Sequence, residues 1–381
     1  YNEPAMVAVT VILASTILAG GLAVQHQALL RRGMRFPPLA GLEVASLFLG
    51  AAAAVAAAAA GARYWSLVVL QVVMAFVNLA GVWLLCPWRP GRPVRRSGVR
   101  PMLVFGGYLS GKGLLQYASR SLDKMLVGRS CGADALGIYS KAWQLLLLPV
   151  QQLSEPLTGV AAAALSRLQH DPPRYRAFLH AGVQVLVFFG MPLVVFLFVA
   201  AEELVLVVLG PVWTGVVPVY RVLAPAALMS TFDVATGWVY VSWGHTGRQF
   251  RWVAFSSVVQ AVAFLIGISW GTLGVAAAFS IAVVLLRLPG VAYCFQGTPL
   301  RFLPFLRVIG RTAAAAIGAG ALLYLARLVL VPEAPLAGRL ALDAVTFAGV
   351  YPAVWLVLPG GRRVLGDMMT LAPRIVGKKN G

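Results

Sequence analysis

Apolar runs of about 20 residues, long enough to carry a helix across roughly 30 Å of hydrocarbon, recur along the chain between short polar or basic segments. Eleven such runs are predicted as membrane spans. Three cover residues 5–25, 39–60 and 64–86, six cover 102–129, 136–165, 175–209, 217–243, 251–270 and 273–295, and a final pair covers 308–330 and 340–358. Residues 87–101 (PWRPGRPVRRSGVRP) are too rich in proline and arginine for a helix and read as a linker. Period-2 alternation is absent, which argues against an outer-membrane barrel. The expected fold class is an all-α polytopic membrane protein of about eleven transmembrane helices, counted by the length rule. The expected segments are 1–88, the basic linker 89–101, the helical body 102–296, a loop with two further helices at 297–360, and a basic tail at 361–381. The alanine run at 51–60 reads as a surface for close helix packing, and Pro192, Pro225, Gly190 and Gly237 as places where spans can bend.

One span breaks the apolar pattern. Residues 105–130 read FGGYLSGKGLLQYASRSLDKMLVGRS, with Lys112, Arg120, Asp123 and Lys124 inside a bilayer-length helix. On a helical projection Tyr108, Lys112, Gln116, Ser119, Arg120 and Asp123 share an arc of about 120°. In the next span Lys141, Gln144, Gln151, Gln152 and Glu155 share an arc of about 100°. An ionised group facing lipid costs at least ~2.5 kcal/mol, so these faces are expected against protein or a water-filled cavity. The competing reading is an Arg120–Asp123 pair at i,i+3, with Lys124 or Lys141 snorkelling to an interface. Lys112 and Arg120 suit a phosphate. Asp233, flanked by Ser230, Thr231 and Thr236, can titrate with a coupling proton or help hold a sodium ion; equally it can be a hydrogen-bonded core carboxyl. Glu155 and Asp123 are the other ion-coupling candidates.

Composition agrees with the membrane reading: 60% hydrophobic and 11% charged residues, with a mean hydropathy of +0.83. Position explains the net charge of +19 better than nucleic-acid binding does, because the cations sit in short loops. Alternate loops carry 21 cations on one side and three (Arg63, Arg129, Arg339) on the other, which sets the first side and the C-terminus as cytoplasmic. Cys86, Cys131 and Cys294 are far apart in sequence and read as packing residues; neither a metal cluster nor a cofactor is expected. GGYLSGK at 106–112 has P-loop spacing but continues with Gly113 inside an apolar span, and GISWG at 267–271 matches GxSxG at a helix end, so neither supports an enzyme. The chain opens on Tyr1 without a signal peptide and reads as a piece of a longer protein.

Residues 117–157 (YASRSLDKMLVGRSCGADALGIYSKAWQLLLLPVQQLSEPL) resemble Wzx-type polysaccharide exporters, particularly the colanic-acid-exporter-like branch. So do residues 24–36, 164–176 and 208–224, all in family order. The resemblance implies two six-helix lobes around a cavity that opens alternately to each side of a bacterial inner membrane. On that pattern the first three spans close an N-terminally truncated first lobe. The next six form the complete second lobe, the final pair is accessory, and the fragment is expected to be inactive alone. The implied function is flipping a polyprenyl-diphosphate-linked oligosaccharide between leaflets, with membrane lipids and polysaccharide polymerase or export machinery as partners. Lys112, Arg120, Lys124 and Lys141 are then candidate headgroup contacts, and the glutamines candidate sugar contacts. The alternatives are a related drug/cation antiporter, a lipid II flippase, or a membrane glycan polymerase or ligase.

Overall fold

A backbone immersed in hydrocarbon must satisfy its own hydrogen bonds, and helices do so within one segment. The computed structural model describes residues 4–33, 35–91, 98–329 and 335–376, and among them it contains α-helices and two 3₁₀ turns but no strand. The helices are α1 (Pro4–Arg32), α2 (Phe36–Ala59), α3 (Trp65–Leu85), α4 (Arg100–Cys131), α5 (Ala133–Arg167), α6 (Pro172–Val199), α7 (Ala201–Val208), α8 (Val216–Ser242), α9 (Thr246–Gly267), α10 (Gly271–Phe295), α11 (Phe302–Val329), α12 (Leu336–Val357) and α13 (Gly361–Val376). Among the described residues eight stretches are long and apolar enough to cross a membrane, one of them joining α9 and α10 across residues 246–295. The molecule is a multi-pass, all-α membrane protein. Helices α4 and α5 are outside that set, although at 32 and 35 residues they are the longest helices among the described residues.

The chain divides into two compact units, Tyr1–Ser97 and Gly98–Gly381. In the first, α3 packs on both α1 and α2. His26 stacks on Trp83 at 4.5 Å and bonds to the Trp88 carbonyl at 3.2 Å, and Gln27 donates to Asn78 at 2.7 Å. The alanine run is mostly exposed here; α2 meets α3 through Gly50, seated against Leu70 and Met74. Arg92, Arg95 and Arg96 of the basic linker, and Lys378 and Lys379 of the tail, lie outside the described residues.

In the second unit the predicted single span at 175–209 is two helices. Asp171 caps α6 by accepting from the Arg174 amide at 3.2 Å, with Pro172 and Pro173 in the first turn. The helix stops at Val199, ahead of the charged first turn of α7, Glu202 and Glu203. Arg327 of α11 donates to the Val199 carbonyl at 2.9 Å and pairs with Glu203 at 3.3 Å, so one guanidinium caps the helix end and offsets the charge of the acid. Residues 361–376, read from sequence as tail, are helical in α13, with Val364, Leu365 and Met368 packed into the core that contains Trp355. That core joins α6, α8, α11 and α12 through residues such as Phe188, Phe232, Tyr351 and Trp355, and Tyr351 donates to the Phe188 carbonyl at 3.0 Å. A second core, with Tyr139, Leu146, Tyr220 and Leu223, binds α5 to α8.

Candidate functional site

Five helices of the second unit close a ring: α4 packs on α5 and α9, α5 on α8, α8 on α10, and α10 on α9. They enclose a cavity of about 490 Å³, inside the ~300–1,000 Å³ range of small-molecule sites. Its lining on α8 runs from Leu223 to Val241, a depth of roughly 27 Å at ~1.5 Å per residue. Each wall follows helical periodicity. Helix α4 presents Lys112, Gln116, Ser119, Arg120 and Asp123, and α8 presents Ser230, Asp233, Gly237 and Tyr240. Helix α9 adds Gln249, Trp252, Ser256, Ser257 and Gln260, while α10 contributes Arg287 and Gly290.

Both acids on these walls are engaged. Asp123 is buried; it accepts from the Tyr139 hydroxyl at 3.0 Å and from the Lys124 amide at 2.7 Å. Asp233 forms an ion pair with Arg287 and accepts from Thr236 Oγ1 at 3.3 Å. Lys112 lies within electrostatic reach of both Asp233 and Arg120. The Trp252 indole lies against Gly290, where a Cβ would come 2.8 Å from its Nε1, and stacks on Tyr293 at 5.5 Å. Gln249 is 6% exposed, and its Oε1 has no protein partner. No group of three or more metal-ligating side chains occurs among the described residues.

Of the candidates read from sequence, Lys112, Gln116, Arg120, Asp123 and Asp233 come together in this cavity. Lys124, Lys141, Gln144, Gln151, Gln152 and Glu155 are not among its lining residues. The polar face of α5 is turned about 115° from the face that carries Trp143, Leu146, Leu147 and Thr158 into the cavity, counting ~100° per residue. On that outer face Lys141 donates to Gln144 at 3.4 Å. Sequence reasoning passed over the α9 ladder and Arg287. An arginine within an apolar run was the same signal that exposed Arg120; the spacing of Gln249, Ser256 and Gln260 was the other available clue.

The chain is 23% identical over 283 residues to the lipopolysaccharide biosynthesis protein WzxC of Escherichia coli (strain K12), covering 72% of this chain and 56% of that protein. It is 24% identical over 344 residues to the amylovoran biosynthesis protein AmsL of Erwinia amylovora, covering 87% of each. The fold matches that of a solved structure, the lipid II flippase MurJ in an inward closed conformation, with a TM-score of 0.64 and 13% identity over 91% of this chain and 73% of that one. The sequence pattern of one family, described as polysaccharide biosynthesis protein, runs through residues 1–218, more than half of the 381. By that match this multi-pass helical chain is a member of the polysaccharide biosynthesis protein family.

Proposed function

We propose that this chain forms the body of a transporter that flips a polyprenyl-diphosphate-linked oligosaccharide across the bacterial cytoplasmic membrane by alternating access. The observation that carries the reading is a polar cavity about 27 Å deep inside a bundle that, apart from the polar face of α5, exposes many large apolar side chains. Sugars need a hydrated path, the diphosphate needs cations, and a prenyl chain is soluble in the surrounding lipid. MurJ, which shares the fold, is a lipid II flippase, and the proposed activity is of the same kind: movement without covalent chemistry. In the proposed arrangement residues 1–88 supply helices of a first lobe and 102–296 the second, with the C-terminus on the cytoplasmic side. Asp233, Asp123 and Glu155 are the proposed ion-coupling acids. Lys124, Lys141, Gln144, Gln151 and Gln152 are proposed as substrate contacts away from the cavity described above.

The test is complementation of a bacterial host that lacks its own exporter, reading lipid-linked glycan at the outer leaflet. Arg120→Gln and Asp123→Asn are expected to abolish export while the protein still inserts in the membrane at normal abundance. Unchanged export in both variants removes these residues from the mechanism. Export that never appears in any host with a matching glycan, when the chain is expressed together with the upstream segment proposed to complete the first lobe, removes the function.

A further inference from the structure

We infer that α13 lies in the plane of the membrane surface and, with the neighbouring end of α11, forms a docking site for the headgroups of anionic phospholipids. At ~1.5 Å per residue its 16 residues cover about 24 Å, too short to cross the bilayer. Its course is fixed by the turn before it. Gly360 sits at φ +75°, and the Gly361 amide donates to the Leu358 carbonyl at 2.9 Å. Gly361 approaches the Trp355 carbonyl so closely that no side chain fits there. Val364, Leu365 and Met368 then share one face and pack into the core that contains Trp355. Arg362, Arg363 and Gly366 turn away from that face and are exposed.

Cations from α11 complete the patch. The Arg311 guanidinium donates to the Pro359 carbonyl and lies beside Gly360, which places it at the elbow between α12 and α13. Arg307 is exposed one turn before it on the same face of α11. Arg307, Arg362 and Arg363 form no ion pair among the described residues, and Asp367, the single acid in the sequence of α13, is already engaged. What selects a lipid over a soluble anion is the surface that adjoins these arginines. Just before the elbow, Leu356 and Val357 of α12 are 54% and 86% exposed. Leu322 and Leu325, further along the stripe of α11 that carries Arg307 and Arg311, are exposed as well. Arginines at one end of a greasy surface match an amphiphile with an anionic head, and a soluble anion uses only half of that surface. Clusters of about four to eight cations beside a membrane helix recognise anionic lipid in this way, each adding about fivefold in affinity.

The test reads the lipid next to α13 and does not involve transport. The full chain, with Cys86, Cys131 and Cys294 replaced by serine or alanine, carries a bimane label at Gly366→Cys, where a side chain has open space. It is reconstituted in phosphatidylcholine vesicles that hold an equal, low fraction of either phosphatidylglycerol or phosphatidylcholine brominated in the acyl chain. Quenching of the label gives the relative association of each lipid with the site. Phosphatidylglycerol is expected to be preferred at least about tenfold at Gly366→Cys, and the two lipids should quench alike at Val258→Cys, exposed on α9. Arg362→Gln with Arg363→Gln should lower the preference about fivefold or more, whereas Arg362→Lys with Arg363→Lys should retain most of it. Both arginines are exposed, so these variants leave the core intact. Absence of quenching at Gly366→Cys by either lipid places α13 away from the membrane and overturns the inference. Equal quenching by the two lipids there, or a preference unchanged in the glutamine variant, overturns the headgroup site. A preference abolished by inorganic phosphate at constant ionic strength assigns the patch to a soluble anion and overturns the lipid.

Discussion

Arg287 and Asp233 face each other from α10 and α8 inside the cavity, with side chains 19% and 40% exposed. Removing one partner leaves the other charge in a poorly solvated place, whereas removing both exchanges an ion pair for two neutral groups. Arg287→Gln alone is expected to destabilise the unit by about 1–3 kcal/mol, and Arg287→Gln with Asp233→Asn by clearly less. Thermal unfolding of the four proteins of that cycle in detergent measures the difference; a double-variant loss equal to the sum of the two single losses would show that the pair is uncoupled. Gly290 is a separate case. A methyl there meets the Trp252 ring at 2.8–2.9 Å, tighter than atoms tolerate, and Tyr293 stacks on that ring. Gly290→Ala should therefore cost about 1–3 kcal/mol and change tryptophan emission, whereas Gly113→Ala, with open space around it, should change neither.

Arg327 does the work of an element join. From α11 it caps the last turn of α6, pairs with Glu203 of α7, and bonds Asp343 of α12. The acids are 20% and 14% exposed, so removing the guanidinium strands two nearly buried carboxylates and a helix-end carbonyl. Arg327→Leu should cost about 3–5 kcal/mol, and hydrogen exchange should rise at α7 and the start of α12 before it rises at α4. Uniform loosening would deny a local role. The join also explains why residues 175 to 209 mislead: their high hydropathy reads as one span despite Glu202 and Glu203, and the break at Val199 is held by a cation 128 residues further along the chain. Helix α13 escaped for another reason. Its 16 residues are too few to span, and its apolar residues become informative only once Trp355 and Leu358 provide a surface to dock on.

Across the whole molecule, legibility follows how unusual a residue is in its setting. Lys112, Arg120 and Asp123 stand out because charge is costly in a membrane helix, so the α4 wall could be read directly. Gln249, Ser256 and Gln260 are neutral and cost little at the same depth, so the α9 wall was not. The closure of the ring is less local still, since α4 meets α9 more than 100 residues along the chain. What the ring implies is a division of α9 into a wet face and a greasy face, and that division is measurable. In a background with Cys86, Cys131 and Cys294 replaced by serine or alanine, a cysteine at Ser257 lines the cavity, and one at Val258 occupies a position 64% exposed on the outside of the bundle. Only a thiolate reacts with a charged methanethiosulfonate, and a thiol in hydrocarbon does not ionise. Ser257→Cys is expected to label at least about a hundredfold faster than Val258→Cys, a gap of about 2.8 kcal/mol in barrier. Equal rates would place both positions in the same medium, and a cavity that is dry, or a perimeter that is wet, cannot serve as a path for a polar headgroup through lipid.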